Sequence, residues 1–589
     1  SSPDEVLERE IMNSLFPDNT YGVESGGNPE NIPELSYEEF LDFHRTYYHP
    51  SNSYIYLYGN MDMEEKLKFI DEKYLSAFDA LEVDSHIPHQ AAFSSVKDIQ
   101  KEYPVAENEE EEDNTYLSFN MVVGDAMDNT LGVAFDVLDY ALLSAPGAPL
   151  KMALLDAGIG KDIYGSYDDG ILQPKGARTS QKEEFVSIIR KVLQDIVKNG
   201  IDKKAILAGI NYMEFRYREA DFGSYPKGLM YGLDIMGNWL YDDSKPFAQV
   251  QLLAVYDRLK EAVNEGYFES LIQKWLLDNT HGVILALVPK RGLAAQREKA
   301  LEEKLENYRR SLTDEQLEEL VRKTNSLVEY QESEEKPEDL ACIPMLKRSD
   351  IRREVNGFSN EELSVDGSLF LYQDVCTNGI GYVNAMFEIK DMAVDKVHYL
   401  GLLKSVLGYV DTQNYTYGEL FNAINARTGG IQCGVDVFDK ANDPEAFWTM
   451  FTIRGKALYS QMDFLFQMME EILNTSQITD TKRLYEIIAE IKSRGQASLI
   501  GAGHQTAVLR GASYGSPMAR FQDEMAGVGY YKFIEDLEKN FQEKKEEIVA
   551  GLKTAMAEII RPDSFMVSYT GERESVEKMQ ELCCQLKKS

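Results

Sequence analysis

Histidine is the commonest protein ligand to metals and the side chain that titrates nearest neutrality. This chain has seven: His44, His49, His86, His89, His281, His398 and His504. Metal-dependent peptide hydrolysis sets two His and one Glu on a helix as HExxH or the inverted HxxEH, because positions i and i+4 share a helix face. Neither spacing occurs here. His44 and His49 lie five apart across an expected helix end, so their rings diverge, and His86 and His89 flank Pro88 in loop-like sequence. Structural roles are expected for both pairs. Covalent chemistry fares no better. Gly165-Ser166-Tyr167 and Gly515-Ser516-Pro517 do not fit a GxSxG elbow, and no cysteine sits near a histidine that would draw off its proton. Gly501-Ala502-Gly503-His504 lacks the third glycine and the preceding strand of a dinucleotide loop, and there is no Walker loop. Asp168-Asp169-Gly170 reads as a turn, since the alternating ligands of a calcium loop are missing. No catalytic, cofactor-binding or metal-ligating residue is assigned within these 589 residues.

What the sequence does repeat is an architectural unit: an amphipathic helix, a polar break, a strand, a Gly or Pro stop, and a charged helix. The first copy runs through the helix Phe40–Tyr48, the break His49-Pro50-Ser51-Asn52, the strand Tyr54–Tyr58, the stop Gly59-Asn60 and the helix Glu64–Leu75. The second has the helix Tyr267–Leu277, the strand Val283–Val288 and the stop Pro289. The third has the helix Lys544–Ile560, the strand Phe565–Tyr569, Gly571, and the helix Glu574–Leu586. Units so widely separated imply several related α+β domains rather than a solenoid of short repeats.

Between these units, strands are expected at Tyr116–Val123, Leu369–Asp374, Gly381–Ile389, Gly430–Val437 and Phe447–Ile453. Helices are expected at Leu131–Leu143, Lys182–Asn199, Lys203–Ala220, Val397–Tyr409, Tyr417–Ala426, Gln461–Leu473 and Thr481–Leu499. Ser36-Tyr37-Glu38-Glu39 and Ser2-Pro3-Asp4-Glu5 have the capping-box pattern. Residues 79–115, with Pro88, Pro104 and the acidic run Glu107–Asp113, read as a linker. Residues 292–335 read as two long charged helices folded back at Ser311–Asp314. Gly455-Lys456-Ala457 reads as a break between strand and helix. The matching Lys175-Gly176-Ala177 follows Leu172 with only Gln173 and Pro174 between, too few for a strand.

Bulk composition bounds the function. Hydrophobic content of 43% supports packed cores, and the length supports several domains. Lys+Arg 61 against Asp+Glu 99 gives a net charge of −38, a field that repels nucleic-acid backbones. Five cysteines without CxxC spacing suit a reducing compartment and offer no cysteine zinc site. No apolar run is expected to reach the roughly 18 residues that span a bilayer. The chain opens at Ser1 without methionine, which leaves a removed targeting segment open.

One stretch carries a resemblance. Tyr21-Gly22-Val23-Glu24-Ser25-Gly26-Gly27-Asn28-Pro29, Ile32-Pro33-Glu34-Leu35, Phe43-His44 and Tyr48-His49-Pro50-Ser51-Asn52 resemble the pitrilysin/insulinase zinc metallopeptidases, in particular the presequence protease, falcilysin-like branch. Ser144–Leu150, Gly165–Gly170 and the segment from Ile343 to Ile351 fit the same branch. The resemblance implies α+β metallopeptidase-like domains, each a mixed or antiparallel sheet with helices packed on it. These form two halves joined by a helical hairpin around a peptide-sized chamber. It further implies zinc held by HxxEH and a distal Glu, with the motif's own Glu as general base.

Laid onto this chain, the resemblance implies that residues 1–78 end domain 1, 79–115 link, and 116–291 form domain 2. Residues 292–335 are then the hinge and 336–589 a degenerate, non-catalytic domain 3, in which Tyr399-Leu400-Gly401-Leu402-Leu403 replaces the metal helix. The zinc ligands would precede Ser1 and a fourth domain would follow Ser589. The expected activity is zinc-dependent degradation of short unstructured peptides by the parent protein, with no zinc and no cleavage in this fragment alone. The other reading is an inactive peptide-binding or scaffold subunit beside an active chain. Expected partners are unstructured peptides, with neither nucleic acid nor membrane, for a monomer in the cytoplasm or an organelle matrix.

Overall fold

A computed structural model describes residues 3–109, 111, 114–145, 147–160, 162–163, 165–167, 174–175, 179–354, 357, 359–389 and 394–588. It divides into two compact units. One comprises 1–101, 112–287 and 361–589; the other comprises 102–111 and 288–360. Eleven strands occur among the described residues: β1 Lys97–Val105, β2 Tyr116–Met121, β3 Asp162–Ile163, β4 Pro174–Lys175, β5 Gly282–Arg291, β6 Asn360–Val365, β7 Ser368–Asp374, β8 Ile380–Glu388, β9 Ile431–Lys440, β10 Asp443–Leu458 and β11 Phe565–Gly571. With helices they make an α+β fold of mixed sheets.

The larger sheet has the order β6-β7-β11-β8-β10-β9, with β11 parallel to β7 and antiparallel to β8. Strand alternation builds its core: along β11, Phe565, Val567, Tyr569 and Gly571 are buried and the residues between them are half-buried. Helices Val394–Val406, Met462–Thr475 and Phe541–Ile559 add Leu400, Leu403, Leu465, Ile548 and Leu552 to this core. The third repeat thus folds as read, as helix, strand and the helix Val576–Lys588.

At Gly455 the expected break is absent. β10 continues to Leu458, opposite Ile380 of β8. A Cβ at 455 would lie 2.6 Å from the Met469 side chain and 2.7 Å from that of Leu465. The glycine therefore admits a helix against the strand instead of ending it. Pro289 likewise lies inside β5, two residues beyond Leu287, which pairs with Tyr116 at the last register position shared with β2. Past that point a missing N–H interrupts no ladder to β2.

The first repeat departs furthest from expectation. Its helices form at Tyr37–Tyr47 and Met63–Lys73, the former with the Ser36–Glu39 capping box. Tyr54–Tyr58, however, is not a strand, because no neighbouring strand among the described residues offers it a ladder. No residue from 23 to 91 is buried, and Phe40, Phe43, Leu67 and Phe69 are among its exposed apolar side chains. The supposed linker 79–115 contains β1, which is polar enough that Tyr103 is its one buried residue. β1 is an edge strand, where Pro104 is tolerated.

Where Gln173-Pro174 read as too few residues for a strand, Pro174–Lys175 pairs with Asp162–Ile163 as a two-residue ladder. The Asp168–Gly170 turn, Gly176-Ala177 and the Ser2 cap lie outside the described residues. Helices Leu293–Ser311 and Asp314–Glu332 form as expected, the second behind a Thr313–Gln316 capping box. Helices Gly503–Ala512, Pro517–Ala526 and Val528–Lys539 are additions to the sequence reading.

One stretch corrects the membrane estimate: Asn129–Asp156, 28 residues, has the length and hydropathy of a span, and 71% of its apolar window is buried in the fold. Within it, helix Asn129–Asp139 passes into a wide π turn, Tyr140–Ser144. Asp139 ends that helix, accepting a 2.7 Å hydrogen bond from the Ser144 hydroxyl; its other carboxylate oxygen is buried without a partner among the described residues. Burial pushes its pKa up to about 6, against a lowering by Ser144. A raised carboxyl pKa means the folded state keeps a proton the unfolded state gives up, so stability falls as pH climbs from about 4 to about 6. Asp139→Asn is therefore expected to leave stability unchanged at pH 4 and to raise it by about 3 kcal/mol at pH 8, at roughly 1.4 kcal/mol per unit. Urea denaturation at both pH values checks this.

Candidate functional site

A cavity of about 1210 Å³ opens within the larger unit. Four parts of the chain line it: the extended Tyr56–Tyr58, helices Lys203–Glu219 and Lys227–Trp239, the stretch from Phe247 to Lys260, and the region of helix Tyr417–Arg427 with the ends of β8 and β10. The first helix is capped by Asp202, whose carboxylate accepts from Lys204 N at 2.9 Å and Ala205 N at 3.3 Å. It ends at Ala220, which holds the left-handed conformation at φ 48°. On the second helix Gly228 and Gly232 stand one turn apart. A Cβ would lie 2.2 Å from the Tyr58 ring at Gly228 and 2.9 Å from the Tyr56 ring at Gly232. Two missing side chains thus make the groove that seats two tyrosines. Tyr54 follows with a 2.8 Å hydrogen bond to Asp243 and an edge contact with Trp239. These contacts, not a β-ladder, hold the segment extended.

Two carboxylates, Glu214 and Asp234, and four cations, Arg216, Arg218, Lys260 and Arg427, are among the residues that line the cavity. Glu214 accepts from Arg218 Nε at 2.8 Å and pairs with Lys260. Burial works to raise its pKa, but the two cations outweigh it and hold the carboxyl below its ordinary value. Burial raises the pKa of Asp234. Beside the cavity, Glu219 at the end of helix Lys203–Glu219 accepts 2.8 and 2.6 Å hydrogen bonds from Lys456 Nζ and one of 2.9 Å from the Tyr382 hydroxyl. Lys456 on β10 and Tyr382 on β8 are register partners, so the sheet presents both to one carboxylate. Nearby, Gly429 leaves room for Phe215, whose ring would lie 2.2 Å from a Cβ there.

The histidines stay apart. His44 stacks on Tyr48 at 4.6 Å. His49 caps a turn by accepting from Ser51 N at 3.1 Å. His89 lies 3.7 Å from Asp125. Buried His281 meets Leu15 O at 3.0 Å and packs on Phe93. His398 pairs with Glu524 at 2.7 Å and stacks on Phe533.

His398 invites comparison with HxxEH, a spacing that a window opening at Tyr399 overlooks. Counting from it, the positions of the motif's Glu and second His hold Gly401 and Leu402. A Cβ at 401 would meet Met525 O at 2.4 Å and the Tyr530 ring at 2.8 Å, and Leu402 is fully buried. Packing thus occupies the space a carboxylate would need. Among the described residues no group of three His, Cys, Asp or Glu side chains could hold a metal ion. Among the described residues the cavity presents aromatic rings, Tyr56, Tyr58, Phe215, Tyr217, Phe222 and Tyr231, together with its charged groups. Sequence reading missed this cavity and the Glu219 contacts; the Gly228–Gly232 spacing was the local signal that a helix face there admits large neighbours.

Comparison with known proteins gives a consistent result. A family model described as the Peptidase M16 inactive domain matches residues 34–213, and a second, described as associated with peptidases of subfamily C of the same family, matches 287–537. Protein HypA of Clostridium perfringens is 39% identical over 99% of this chain and 60% of its own length. Presequence protease 1, chloroplastic/mitochondrial, of Arabidopsis thaliana is 31% identical over 98% of this chain and 54% of its own. The mitochondrial presequence protease of Danio rerio is 25% identical over 91% and 53%. The chain spans a little over half the length of these relatives.

Proposed function

The chain belongs to the pitrilysin/insulinase peptidase family, on its presequence protease-like side, and from that premise we propose that it is the wall and hinge of a zinc metalloendopeptidase acting on short unstructured peptides. In this reading residues 1–78 complete a first domain, 79–115 connect, 116–291 form a second domain, 292–335 the hinge and 336–589 a non-catalytic third domain. The parent is cytoplasmic, or in an organelle matrix, and monomeric. Its partners are peptides rather than nucleic acid or membrane.

Helix Val394–Val406 does not fit a catalytic zinc: Gly401 and Leu402 stand where base and ligand would be, and their surroundings are filled. In this reading hydrolysis is the work of the parent protein's zinc, and the described residues contribute binding. The observation that carries the reading is the 1210 Å³ cavity walled by Tyr56, Tyr58, Phe215, Tyr217, Phe222 and Tyr231. Aromatic faces hold extended chains by stacking and apolar burial without reading one sequence. The volume slightly exceeds the roughly 300–1,000 Å³ of small-ligand pockets, and a folded domain with a radius of gyration of about 13 Å is excluded. Selection by lack of structure follows. The alternative, an inactive peptide-binding subunit, draws on the same lack of a metal cluster among the described residues.

Two proteins should be compared, this chain and a version extended upstream of Ser1 through the HxxEH that this reading expects there. The chain alone is expected to bind an unstructured fluorescent peptide, to weaken about fivefold on Tyr58→Ala (an aromatic contact carries about 0.5–1.5 kcal/mol), and to show neither turnover nor stoichiometric zinc. The extended protein is expected to cleave that peptide and to lose activity to a chelator. Turnover by the chain alone would overturn the proposal. A metal-loaded but inactive extended protein would favour the scaffold reading.

A further inference from the structure

A second cavity, of about 1070 Å³, lies in the larger unit between the segment 144–160, the end of helix Val394–Val406, the start of β9 and helix Thr481–Gly501. Its charge runs against the chain's. Lys151, Lys404, Lys482, Arg483, Lys492 and Arg494 line it with four carboxylates, so six minus four leaves +2 in a protein of net −38. Each carboxylate is already engaged. Glu490 holds Lys151 at 3.7 Å and Arg494 at 2.5 Å, Glu538 holds Lys492 at 2.9 Å, Glu486 holds Arg483 at 2.9 Å, and Asp156 holds Lys482 at 3.8 Å. Lys404 is left over. It is half-buried, and among the described residues no hydrogen bond or ion pair engages its ammonium. Burial alone pulls its pKa below the ordinary lysine value, with no counter-charge to restore it.

A cation held away from water without a partner is costly and is normally paired. Met152, Leu155, Phe421 and Ile431 line the same space, and they give an apolar surface that a bare inorganic ion would not use. We propose that this cavity is a binding site for an acidic peptide segment, one of whose carboxylates pairs with Lys404. The proposal extends the peptide-binding reading to a second, charge-selective subsite and requires no hydrolysis, so it can fail while that reading stands.

The test is equilibrium binding of a fluorescein-labelled Glu-containing hexapeptide to the full chain, against a Gln-for-Glu counterpart, by anisotropy. The acidic peptide is expected to bind at least fivefold tighter. Lys404→Met should weaken it about tenfold, the scale of one charge-assisted hydrogen bond. Lys404→Arg should stay within about twofold, and circular dichroism should show both variants folded. Equal affinity for the two peptides would overturn the proposal, as would unchanged binding by a folded Lys404→Met. So would Lys404-dependent binding of inorganic phosphate that the acidic peptide fails to displace, since the site would then be a phosphate site.

Discussion

Lys456→Met is expected to destabilise the larger unit by about 3–5 kcal/mol, the cost of stranding a buried carboxylate by removing its partner. The Glu219 side chain is 5% exposed, and among the described residues Lys456 supplies two of its three hydrogen bonds, Tyr382 the third. Without Lys456, a desolvated charge keeps one neutral donor. The double variant Glu219→Met, Lys456→Met should recover most of the loss, because no buried charge then remains. A shift of the urea midpoint for the single variant, largely reversed in the double, is the signature. If the double variant is as unstable as the single, the loss comes from lysine-stem packing instead. Glu219 ends the helix that carries Glu214 and Phe215 into the first cavity, so the single variant should also weaken peptide binding there.

Restoring a metallopeptidase motif on helix Val394–Val406 by Gly401→Glu with Leu402→His is expected to damage the fold and bind no zinc. Alanine at 401 alone tests the cause. Its helix propensity exceeds that of glycine by about 1 kcal/mol, yet its Cβ would lie 2.4 Å from the Met525 carbonyl oxygen and 2.8 Å from the Tyr530 ring. Overpacking of this kind costs about 1–3 kcal/mol or more, and the backbone contact cannot be relieved by rotating a side chain. Gly401→Ala should therefore lower stability by a net of about 2 kcal/mol, and the paired substitution should cost more and reduce soluble yield. Thermal melts and zinc titration calorimetry read both outcomes. A stable Gly401→Ala protein would show that helix Pro517–Ala526 moves aside freely.

Sequence reading succeeds where structure is local. The Ser36 and Thr313 capping boxes, the charged helices of 293–332 and the alternating strand Phe565–Gly571 follow from short-range hydrogen bonding and burial periodicity. The resemblance to pitrilysin/insulinase peptidases was likewise carried by contiguous residues. Three misreadings have non-local causes. Tyr54–Tyr58 has strand composition, but a strand exists only beside another, and here tyrosines lie instead against Gly228 and Gly232. β1 escaped notice because an edge strand with one buried residue has no apolar alternation to see. Gly455 resembled a stop because its role, admitting Leu465 and Met469, lies across a helix–strand contact.

What the amino-acid order determined unaided was the kind of element and the α+β class, because capping, alternation and turn chemistry act over a few residues. Tertiary structure alone decided which charges meet and where space is left. Glu219 stands 237 positions from Lys456, and the four carboxylates that share a cavity with Lys404 each pair with another cation. Pairing and cavity formation depend on distances that chain folding sets, and no local spacing encodes them.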